Sequence, residues 1–378
     1  MDSMWRSVDT CEFGDFISSS EENHTETGPH GGCLPTQPTS SENDDLRFPC
    51  PLEADMPADA SDPTVPLNLV VDEVRRECDD VLTLSLIDHA GNNLPTWEAG
   101  AHIDLHLADT MVRQYSLHSA PDDRSRYEVA VLRDPDSRGG SRYIHDEVKK
   151  GMILTASHPR NNFPLKPAAE YLFIAGGIGI TPILPMMRAA DAQRRRFRLV
   201  YAGRSRSKMA FLESLGGRDP VQLCVSDDGT RLNIDNLLPP ELDPNVQIYS
   251  CGPERLLDAV TTRCTDLGLS KQLHVEHFSG TAADLDPDKE VAFEVELVRS
   301  RRTLTIAPDQ TILDALLECG IKAPNSCAEG VCGSCETTVL DGEIDHRDQI
   351  LDEDEQAEND VMMICCSRAR SPRLVLDL

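Results

Sequence analysis

A short segment in the last fifth of the chain concentrates residues that can do metal or redox chemistry. The segment "PNSCAEGVCGSC", residues 324–335, holds Cys327, Cys332 and Cys335 in the spacing C-x4-C-x2-C, with glycines between them. Such thiols could form a disulfide, bind zinc, bind an iron–sulfur cluster or stay unligated. The 13 cysteines are odd in number and scattered over 378 residues without a secretory signal pattern. This usage favours reduced thiols and metal ligands over a disulfide framework.

The spacing of the cysteines distinguishes a structural zinc site from an iron–sulfur cluster site. Structural zinc usually takes paired C-x2-C or Cys/His knuckles, whereas C-x4-C-x2-C with a distant fourth cysteine is the plant-type [2Fe-2S] spacing. Cys365, in "MMICCSRA", lies 30 positions after Cys335, and its neighbour Cys366 leaves the fourth ligand open. The loop glycines and Ser334 would let backbone N–H groups approach the sulfur atoms. The sequence therefore predicts a [2Fe-2S] cluster held by Cys327, Cys332, Cys335 and Cys365.

The segments before this loop differ in their hydrophobic pattern. Residues 1–65 mix Ser, Thr, Pro, Gly and acids without an apolar period, which predicts a disordered acidic tail. From Leu67 to Leu132, short alternating runs such as "VLTLSLI" and "YEVAVLR" are separated by turn residues and predict an antiparallel barrel over 66–167. From Tyr171, buried strands alternate with helical stretches ("YLFIAGG", "TPILPMMRAADAQ", "VQIYSCG"), which predicts a parallel α/β domain over 168–280.

The cysteine loop belongs to a third predicted unit. A polar linker, residues 281–290, leads to a hairpin ("AFEVELVRSRRTLTIAP") and a helix ("TILDALLECG") that ends at Gly320, within a domain over 291–378. The closing run "DVMMICCSRARSPRLVLDL" is interpreted as a strand, the fourth ligand, a polar turn and a last strand. In an extended chain consecutive side chains point to opposite sides, so only one of Cys365 and Cys366 is expected to bind iron. The 30-residue offset from Cys335, together with the family resemblance described below, implies that it is Cys365.

The charge of the chain narrows its partners. The formal net charge is −29, and residues 1–65 carry 14 acids and 2 bases. Such a chain is repelled by nucleic acid and anionic membranes, so no nucleic-acid or membrane partner is expected. The sequence has no basic-then-apolar signal pattern and no apolar run long enough to span a membrane, which predicts a cytoplasmic location.

Two motifs in the barrel segment predict a flavin site. "RQYS", residues 113–116, supplies a cation and an aromatic strand edge, and "SRGGSRYIH" begins at Ser137. An isoalloxazine ring packs along such an edge, and its phosphate needs a cation together with N–H groups at a helix start. "RQYS" alone could be a plain strand, but the two motifs together predict a flavin site with Gly139, Gly140 and Ser141 at its phosphate. The family resemblance described below implies that Arg113, Tyr115 and Ser116 line the flavin.

Glycine-rich turns follow two strands of the α/β segment. "AGGIGITP", residues 175–182, joins a buried strand to a helix, where backbone amides and the helix dipole can hold a pyrophosphate. The run is not the G-x-G-x-x-G fingerprint, and a plain tight turn is the alternative. "YSCGP", residues 249–253, places Gly252 and Pro253 just past another strand, at the edge where ligands gather in open sheets.

The order of these motifs resembles the phthalate dioxygenase reductase and vanillate demethylase reductase family. The resemblance runs through "RQYS", "GGS", "GGIGITP", "YAGRSRSKMAF", "CGP", "HVEHFSG" and the cysteine motif, over residues 66–378. It implies a ferredoxin–NADP reductase-like flavin barrel and nucleotide domain fused to a β-grasp ferredoxin domain. It also implies that the dinucleotide faces Gly176, Gly177, Gly179, Thr181 and Pro182.

The same resemblance implies which residues lie nearest the reacting rings. Cys251, Gly252 and Pro253 match the part that approaches the nicotinamide, and Phe278 matches an aromatic residue near the flavin. Thr181, Cys251 and Phe278 are therefore expected at the reacting rings, as positioning groups. Arg204 and Arg206 follow a strand where a 2′-phosphate could bind, so NADPH stays open beside NADH.

The family implies an electron-transfer function. Nicotinamide gives up two electrons at once and a [2Fe-2S] cluster accepts one, and a flavin converts between the two. The expected protein takes electrons from NADH through FMN, rather than FAD, and the cluster to a Rieske-type non-haem iron oxygenase acting on a small aromatic or amine compound. The alternatives are a reductase for a cytochrome P450 or a diiron oxygenase, and a redox-sensing binding protein.

Overall fold

The computed structural model describes residues 65–108, 111–135, 139–215, 220–280, 285–286 and 288–378. The predicted tail lies outside this part of the chain except for Val65. Ser137 and Arg138 of the second barrel motif and part of the predicted linker also lie outside it. In the described residues, no helix is both long enough and apolar enough to cross a membrane.

The first unit is a six-stranded antiparallel sheet in the order β4-β3-β6-β1-β2-β5. Apolar side chains alternate along its strands and fill one core, because successive residues of a strand face opposite sides. A bridge between Leu117 and Val129 joins the two sheet edges at one end. The predicted antiparallel barrel is confirmed. Its elements are β1 Leu67–Cys78, β2 Val81–Asp88, β3 His102–Ala108, β4 Met111–Ser116, β5 Tyr127–Leu132, α1 Gly140–Glu147 and β6 Ile153–Ala156.

The second unit is a parallel five-stranded sheet in the order β11-β10-β7-β8-β9. Its central strand β7 is buried along almost its whole length, as expected for a parallel strand covered on both faces. The predicted α/β domain is confirmed, whereas the short strands β9 and β11 were not predicted. The elements are β7 Glu170–Gly176, α2 Ile180–Ala192, β8 Arg196–Gly203, α3 Leu212–Leu215, β9 Val221–Val225, α4 Ile234–Leu237, β10 Gln247–Cys251, α5 Glu254–Asp266 and β11 Leu273–Glu276.

The third unit is a mixed sheet in the order β13-β12-β18-β14-β16 beside a two-stranded pair, β15-β17. The predicted hairpin (β12 and β13) and helix (α6) are confirmed. A capping box between Thr311 and Asp314 starts α6, and Gly320, at φ 72°, ends it in a Schellman turn. The elements are β12 Phe293–Leu297, β13 Arg302–Ile306, α6 Ile312–Glu318, β14 Glu336–Asp341, β15 Ile344–Asp345, α7 Glu353–Glu358, β16 Val361–Met363, β17 Arg368–Ala369 and β18 Arg373–Leu376.

One local expectation in this unit is wrong. The sequence predicted extended chain at Cys365 and Cys366, but β16 ends at Met363 and residues 364–366 form a turn. The amides of Cys366 and Ser367 both donate to the Met363 carbonyl, which closes that turn. Strand alternation therefore does not decide which of the two sulfur atoms faces the cysteine loop. The strand before the turn and the closing strand β18 are both present as predicted.

Side chains connect the three units. Phe163, from the segment after β6, packs in the core of the parallel sheet. Arg188 of α2 donates to the carbonyls of His118 and Ser119 in the barrel at 2.5 and 2.9 Å. Glu290, the last residue of the predicted linker, accepts from Arg347 at 2.7 Å in the third unit. The boundaries 66–167, 168–280, 281–290 and 291–378 stay predictions, and the units share buried contacts across them.

Candidate flavin and iron–sulfur site

A cavity of about 420 Å³ lies where the three units meet. Its volume falls within the roughly 300–1,000 Å³ of small-molecule and cofactor pockets. The barrel, the first turn of the α/β sheet, the segment after β11 and the cysteine loop each supply part of the wall. The lining residues are Arg113, Gln114, Tyr115, Ser116, Ala130, Leu132, Asp134, Ser141, Ile178, Thr181, Glu276, His277, Phe278, Ser279 and Glu329.

The barrel wall contains the residues that the sequence assigned to a flavin. Tyr115 and Ser116 end β4, and burial raises the pKa of the Tyr115 hydroxyl, which therefore stays protonated. Helix α1 starts at Gly140, where a Cβ would lie 2.5 Å from Cγ of Arg113. Glycine at this position lets the Arg113 side chain lie directly against the helix start. A cation beside the first N–H groups of a helix fits a flavin phosphate.

Two strand-to-helix turns of the α/β unit interlock beneath the cavity. A Cβ on Gly179 would collide with the Cys251 carbonyl, and one on Gly252 would lie 2.9 Å from Gly176 Cα. Gly176 likewise leaves room for the ring of Pro253, whose Cδ would be 2.7 Å from a Cβ there. The glycines are thus required first by packing of the two turns. The same packing brings Thr181, at the start of α2, to the cavity wall.

A carboxyl group that the sequence reasoning did not single out lies in this wall. Glu276 ends β11, is paired in register with Cys251, and has Oε2 4.0 Å from the Cys251 sulfur. Burial raises the pKa of Glu276 to about 8, against a smaller lowering by a hydrogen bond from Ser116. Burial also raises the pKa of Cys251, so its sulfur stays a thiol. The motif "HVEHFSG" carried the family resemblance and could have drawn attention to this residue.

The structure divides the predicted cofactor residues into two groups. Six of them line the cavity: Arg113, Tyr115, Ser116, Ser141, Thr181 and Phe278, the last with 41% of its surface exposed. The others do not line it. Gly139, Gly140, Gly176, Gly177, Gly179, Pro182, Gly252 and Pro253 form the turns behind the wall, and Cys251 is fully buried. Arg204 lies past the end of β8, exposed, and Nε of the nearby Arg206 donates to Asp228 at 2.8 Å. The roles of these residues stay predictions.

The four predicted cluster cysteines converge at the third unit. The sulfur of Cys365 is within hydrogen-bonding reach of those of Cys327 and Cys335, and Cys327 interacts in turn with Cys332. Backbone amides point at the sulfurs: Glu329 N donates to Cys327 at 3.3 Å, and Ser334 N donates to Cys332 at 3.5 Å. Such N–H···S contacts are what an iron–sulfur cluster uses to spread its negative charge, so these residues fit the group.

Hydrogen bonds among these thiols shift their pKa values in opposite directions. Hydrogen bonding to Cys332, and then to Cys365, lowers the pKa of Cys327, whereas interactions with Cys327 and Cys335 raise that of Cys365. No three His, Cys, Asp or Glu side chains in the described ranges form a site for a single metal ion. A two-iron cluster spaces its four thiolates over two metals and needs no such tight convergence.

The cysteine loop also forms part of the flavin cavity. Glu329, two residues after Cys327, lines the cavity. Gly280, after β11, packs so closely on the Glu329 backbone that a Cβ there would collide with its carbonyl oxygen. The end of the α/β unit therefore touches the cysteine loop at the cavity wall. A group in the cavity would lie next to the loop that holds the cluster cysteines.

Known proteins share these features. Residues 295–370 match the family described as the 2Fe-2S iron-sulfur cluster binding domain. The chain is 40% identical over 315 residues to phenoxybenzoate dioxygenase subunit beta of Ectopseudomonas oleovorans (83% of this chain, 98% of the relative). It is 39% identical over 325 residues to vanillate O-demethylase oxidoreductase of Pseudomonas sp. strain HR199 (82% and 100%). The chain belongs to the vanillate demethylase reductase and phthalate dioxygenase reductase family. It is an iron–sulfur flavoprotein oxidoreductase.

Solved structures give the same architecture. Phthalate dioxygenase reductase, described as a modular structure for electron transfer from pyridine nucleotides to [2Fe-2S], matches with a TM-score of 0.61 and 35% identity (83% of this chain, 98% of that one). An intact type IV self-sufficient cytochrome P450 monooxygenase matches with a TM-score of 0.79 and 44% identity, over 84% of this chain. This chain spans only 41% of that P450 chain.

Proposed function

We propose that this chain is the NADH-dependent reductase component of an oxygenase system, located in the cytoplasm. It would pass electrons from NADH through FMN and a [2Fe-2S] cluster to a Rieske-type non-haem iron oxygenase that acts on a small aromatic or amine compound. The observation that carries the proposal is one cavity walled jointly by the barrel, the α/β turn and the cysteine loop. The names of the relatives support aromatic compounds as the substrate class.

When bound, a flavin accepts two electrons together and releases them singly, which links a nicotinamide to a one-electron cluster. The barrel residues Tyr115 and Ser116 would orient its ring, while Arg113 and the start of α1 would hold its phosphate. FMN is the expected flavin and FAD the less expected one, because the family assignment rests on FMN-type reductases. Phe278, at the mouth of the cavity, would exclude water from the outer ring face.

The α/β unit would bind the nucleotide and present its nicotinamide to the cavity. The short 3-10 turn Gly177–Gly179 before α2 would offer its backbone N–H groups to the pyrophosphate, and Thr181 marks where this turn reaches the wall. Glu276, with its raised pKa, would keep the wall neutral at neutral pH and so avoid repelling the anionic nucleotide. Cys327, Cys332, Cys335 and Cys365 would hold the cluster beside Glu329.

The cofactors and the activity can be tested on one preparation. The purified full chain should contain one flavin and one [2Fe-2S] cluster, and it should reduce cytochrome c with NADH. Flavin that chromatographs as FAD would overturn the FMN assignment, and zinc in place of iron would overturn the cluster. A chain that binds both cofactors but reduces no acceptor would support the redox-sensing alternative instead.

A cytochrome P450 haem is the second candidate acceptor. The higher similarity to the self-sufficient P450 than to phthalate dioxygenase reductase favours it, at 44% against 35% identity. The two candidates separate when the reduced protein is mixed with a purified Rieske oxygenase or with a P450 haem domain. Substrate-dependent product formation with the Rieske oxygenase alone supports the first candidate. Product formation with the P450 alone supports the second.

A further inference from the structure

The barrel contacts the cysteine loop through residues that line no part of the flavin cavity. Nη2 of Arg160, in the segment after β6, donates to Oγ of Ser334 at 3.0 Å. Nδ2 of Asn162 donates to the carbonyl of Cys332 at 3.0 Å. Gly333, at φ 70°, lies directly under Asn162, because a Cβ there would be 3.2 Å from that amide nitrogen. The barrel therefore holds the loop between two of its cluster cysteines.

Ser334 connects the Arg160 guanidinium to a ligand sulfur. Its Oγ lies 3.3 Å from the sulfur of Cys332. When Cys332 is a thiolate, this hydroxyl donates to the sulfur while it accepts from Arg160. Hydrogen bonds to the sulfurs and the net charge around them are among the factors that set the reduction potential of a cluster. A cation at this place therefore favours the reduced, more negative cluster.

A carboxylate on the barrel opposes this cation. Oδ2 of Asp104 lies 2.8 Å from Nη2 of Arg160, and Asp104 is only 6% exposed. Its other oxygen, Oδ1, has no hydrogen-bond partner among the described residues. Reciprocal backbone bonds between His102 and Arg160, and a bond from the Asp104 amide to Ser157, fix both groups to β3. The strand pairing thus fixes the buried carboxylate, and the Arg160 guanidinium, with 34% of its side chain exposed, lies between that carboxylate and the cysteine loop.

We propose that Arg160 and Asp104, a charge pair of the flavin barrel, set the reduction potential of the cluster in the neighbouring domain. Asn162 acts with them as a positioning residue that keeps Ser334 between Arg160 and the sulfur. The inference rests on the proposed function, because it requires a cluster at the four cysteines. Arg160 raises the potential and Asp104 lowers it, so removal of each charge shifts the potential in an opposite direction.

The test is a redox titration of the full-length protein with flavin and cluster bound. The electron paramagnetic resonance signal of the reduced cluster monitors the titration. R160Q should lower the reduction potential of the cluster by roughly 59 mV, which corresponds to about a tenfold change in the one-electron reduction equilibrium. D104N should raise it. R196Q is the matched control, because Arg196 also pairs with an acid, Glu170 at 2.9 Å, but is 81% exposed on the α/β sheet. It should leave the potential unchanged.

The sign of the D104N shift is the deciding result, because asparagine has nearly the shape of aspartate and a purely structural role would not reverse the direction. A fall in potential for D104N, or shifts no larger than that of R196Q, overturns the inference. If R160Q does not fold, R160K and D104N replace the pair, and R160K should keep a potential close to the wild-type value. A wild-type protein without the cluster signal would instead contradict the proposed function.

Discussion

At the scale of single residues, the adjacent thiols Cys365 and Cys366 have different surroundings. The Cys365 sulfur reaches those of Cys327 and Cys335, whereas Cys366 contacts the Met363 carbonyl at 3.7 Å and packs against Gly330. We therefore predict that C365S loses the visible absorbance of the cluster and the reduction of cytochrome c by NADH. Reduction of the flavin by NADH should persist in this variant.

The matched control for this prediction is C366A. Alanine is preferable to valine here, because a side chain at this position touches Gly330 and an added methyl group would crowd the loop. C366A should keep the cluster spectrum and lose only a little stability. If C366A loses the cluster while C365S keeps it, the fourth ligand is Cys366.

The raised pKa of Glu276 predicts that the folding stability of the protein depends on pH. The pKa of about 8 lies above the ordinary value of 4.5, so the carboxyl takes up a proton on folding between these values. Folding stability from this group is complete below 4.5 and is lost as the pH rises through 8. The flavin-free E276Q protein should therefore gain stability over wild type above about pH 8 and not below 4.5, as measured by urea unfolding.

The same ionisation should affect electron uptake. Above about pH 8 the carboxylate adds a negative charge to the cavity wall, so the rate of flavin reduction by NADH should fall. E276Q should flatten this pH profile in stopped-flow absorbance measurements. The control is D258N, on the exposed face of α5, which should keep the wild-type profile. An unchanged inflection in E276Q would assign the pH dependence to another group.

The ion pair of Asp228 with Arg206 predicts a preference for NADH over NADPH. Asp228 pairs with Arg206, one of the two arginines that could accept a 2′-phosphate, and its carboxylate repels that phosphate. D228N should raise the NADPH to NADH ratio of kcat/KM by up to roughly fivefold, the size of an exposed ion pair. D235N is the control, because Asp235 faces Arg263 at 3.5 Å in the same unit. An equal ratio in both variants would show that Arg206 does not meet the nucleotide.

At the scale of elements, the sequence predicted those with a strong hydrophobic period. The barrel strands β1 to β5, the buried strands β7, β8 and β10, and helices α2, α5 and α6 were all predicted from their patterns. The strands that were not predicted, β6, β9, β11, β14, β15 and β17, have two to six residues, and their short runs carried no pattern that set them apart from turns. Glu276 and Glu329 come from different segments, and only the folded chain brings both to one cavity.

Helix α7 is the element with the densest exposed negative charge in the third unit, called the ferredoxin unit from here on. It lies within the acidic run "LDEDEQAEND", and Asp352 and Glu355 form its capping box. We predict that Glu353 and Glu358, which are exposed, steer the unit toward a basic surface of the oxygenase. Coupled turnover should fall with ionic strength, since charges are screened beyond about 8–10 Å at physiological salt.

The double variant E353Q/E358Q should lower coupled turnover at low salt and weaken its salt dependence. It should leave the rate of NADH-dependent cytochrome c reduction unchanged, and the variant should keep its flavin and its cluster. The control D258N/D266N removes two exposed acids from α5 in the α/β unit and should keep the wild-type salt dependence. The same salt dependence in both double variants would make α7 an ordinary solvated surface.

At the scale of the whole molecule, the relatives match only part of this chain. The two compared curated relatives are covered over 98% and 100% of their lengths, yet they cover 83% and 82% of this chain. Residues 1–65 contain no cofactor motif. Deletion of residues 1–55 should therefore leave flavin content and NADH-dependent cytochrome c reduction unchanged. A marked loss of either one, measured beside the full chain, would show that this segment supports the catalytic units.

The position of β18 has a consequence for biosynthesis. This strand lies between β12 and β14, so it completes the centre of the sheet that carries the cysteine loop. It also follows all four cluster cysteines in the chain. On the ribosome the barrel and the α/β unit emerge earlier and can fold first. The sheet that carries the cysteine loop closes only after residue 376 has left the exit tunnel, so we expect a stable cluster to form only once β18 has been synthesised.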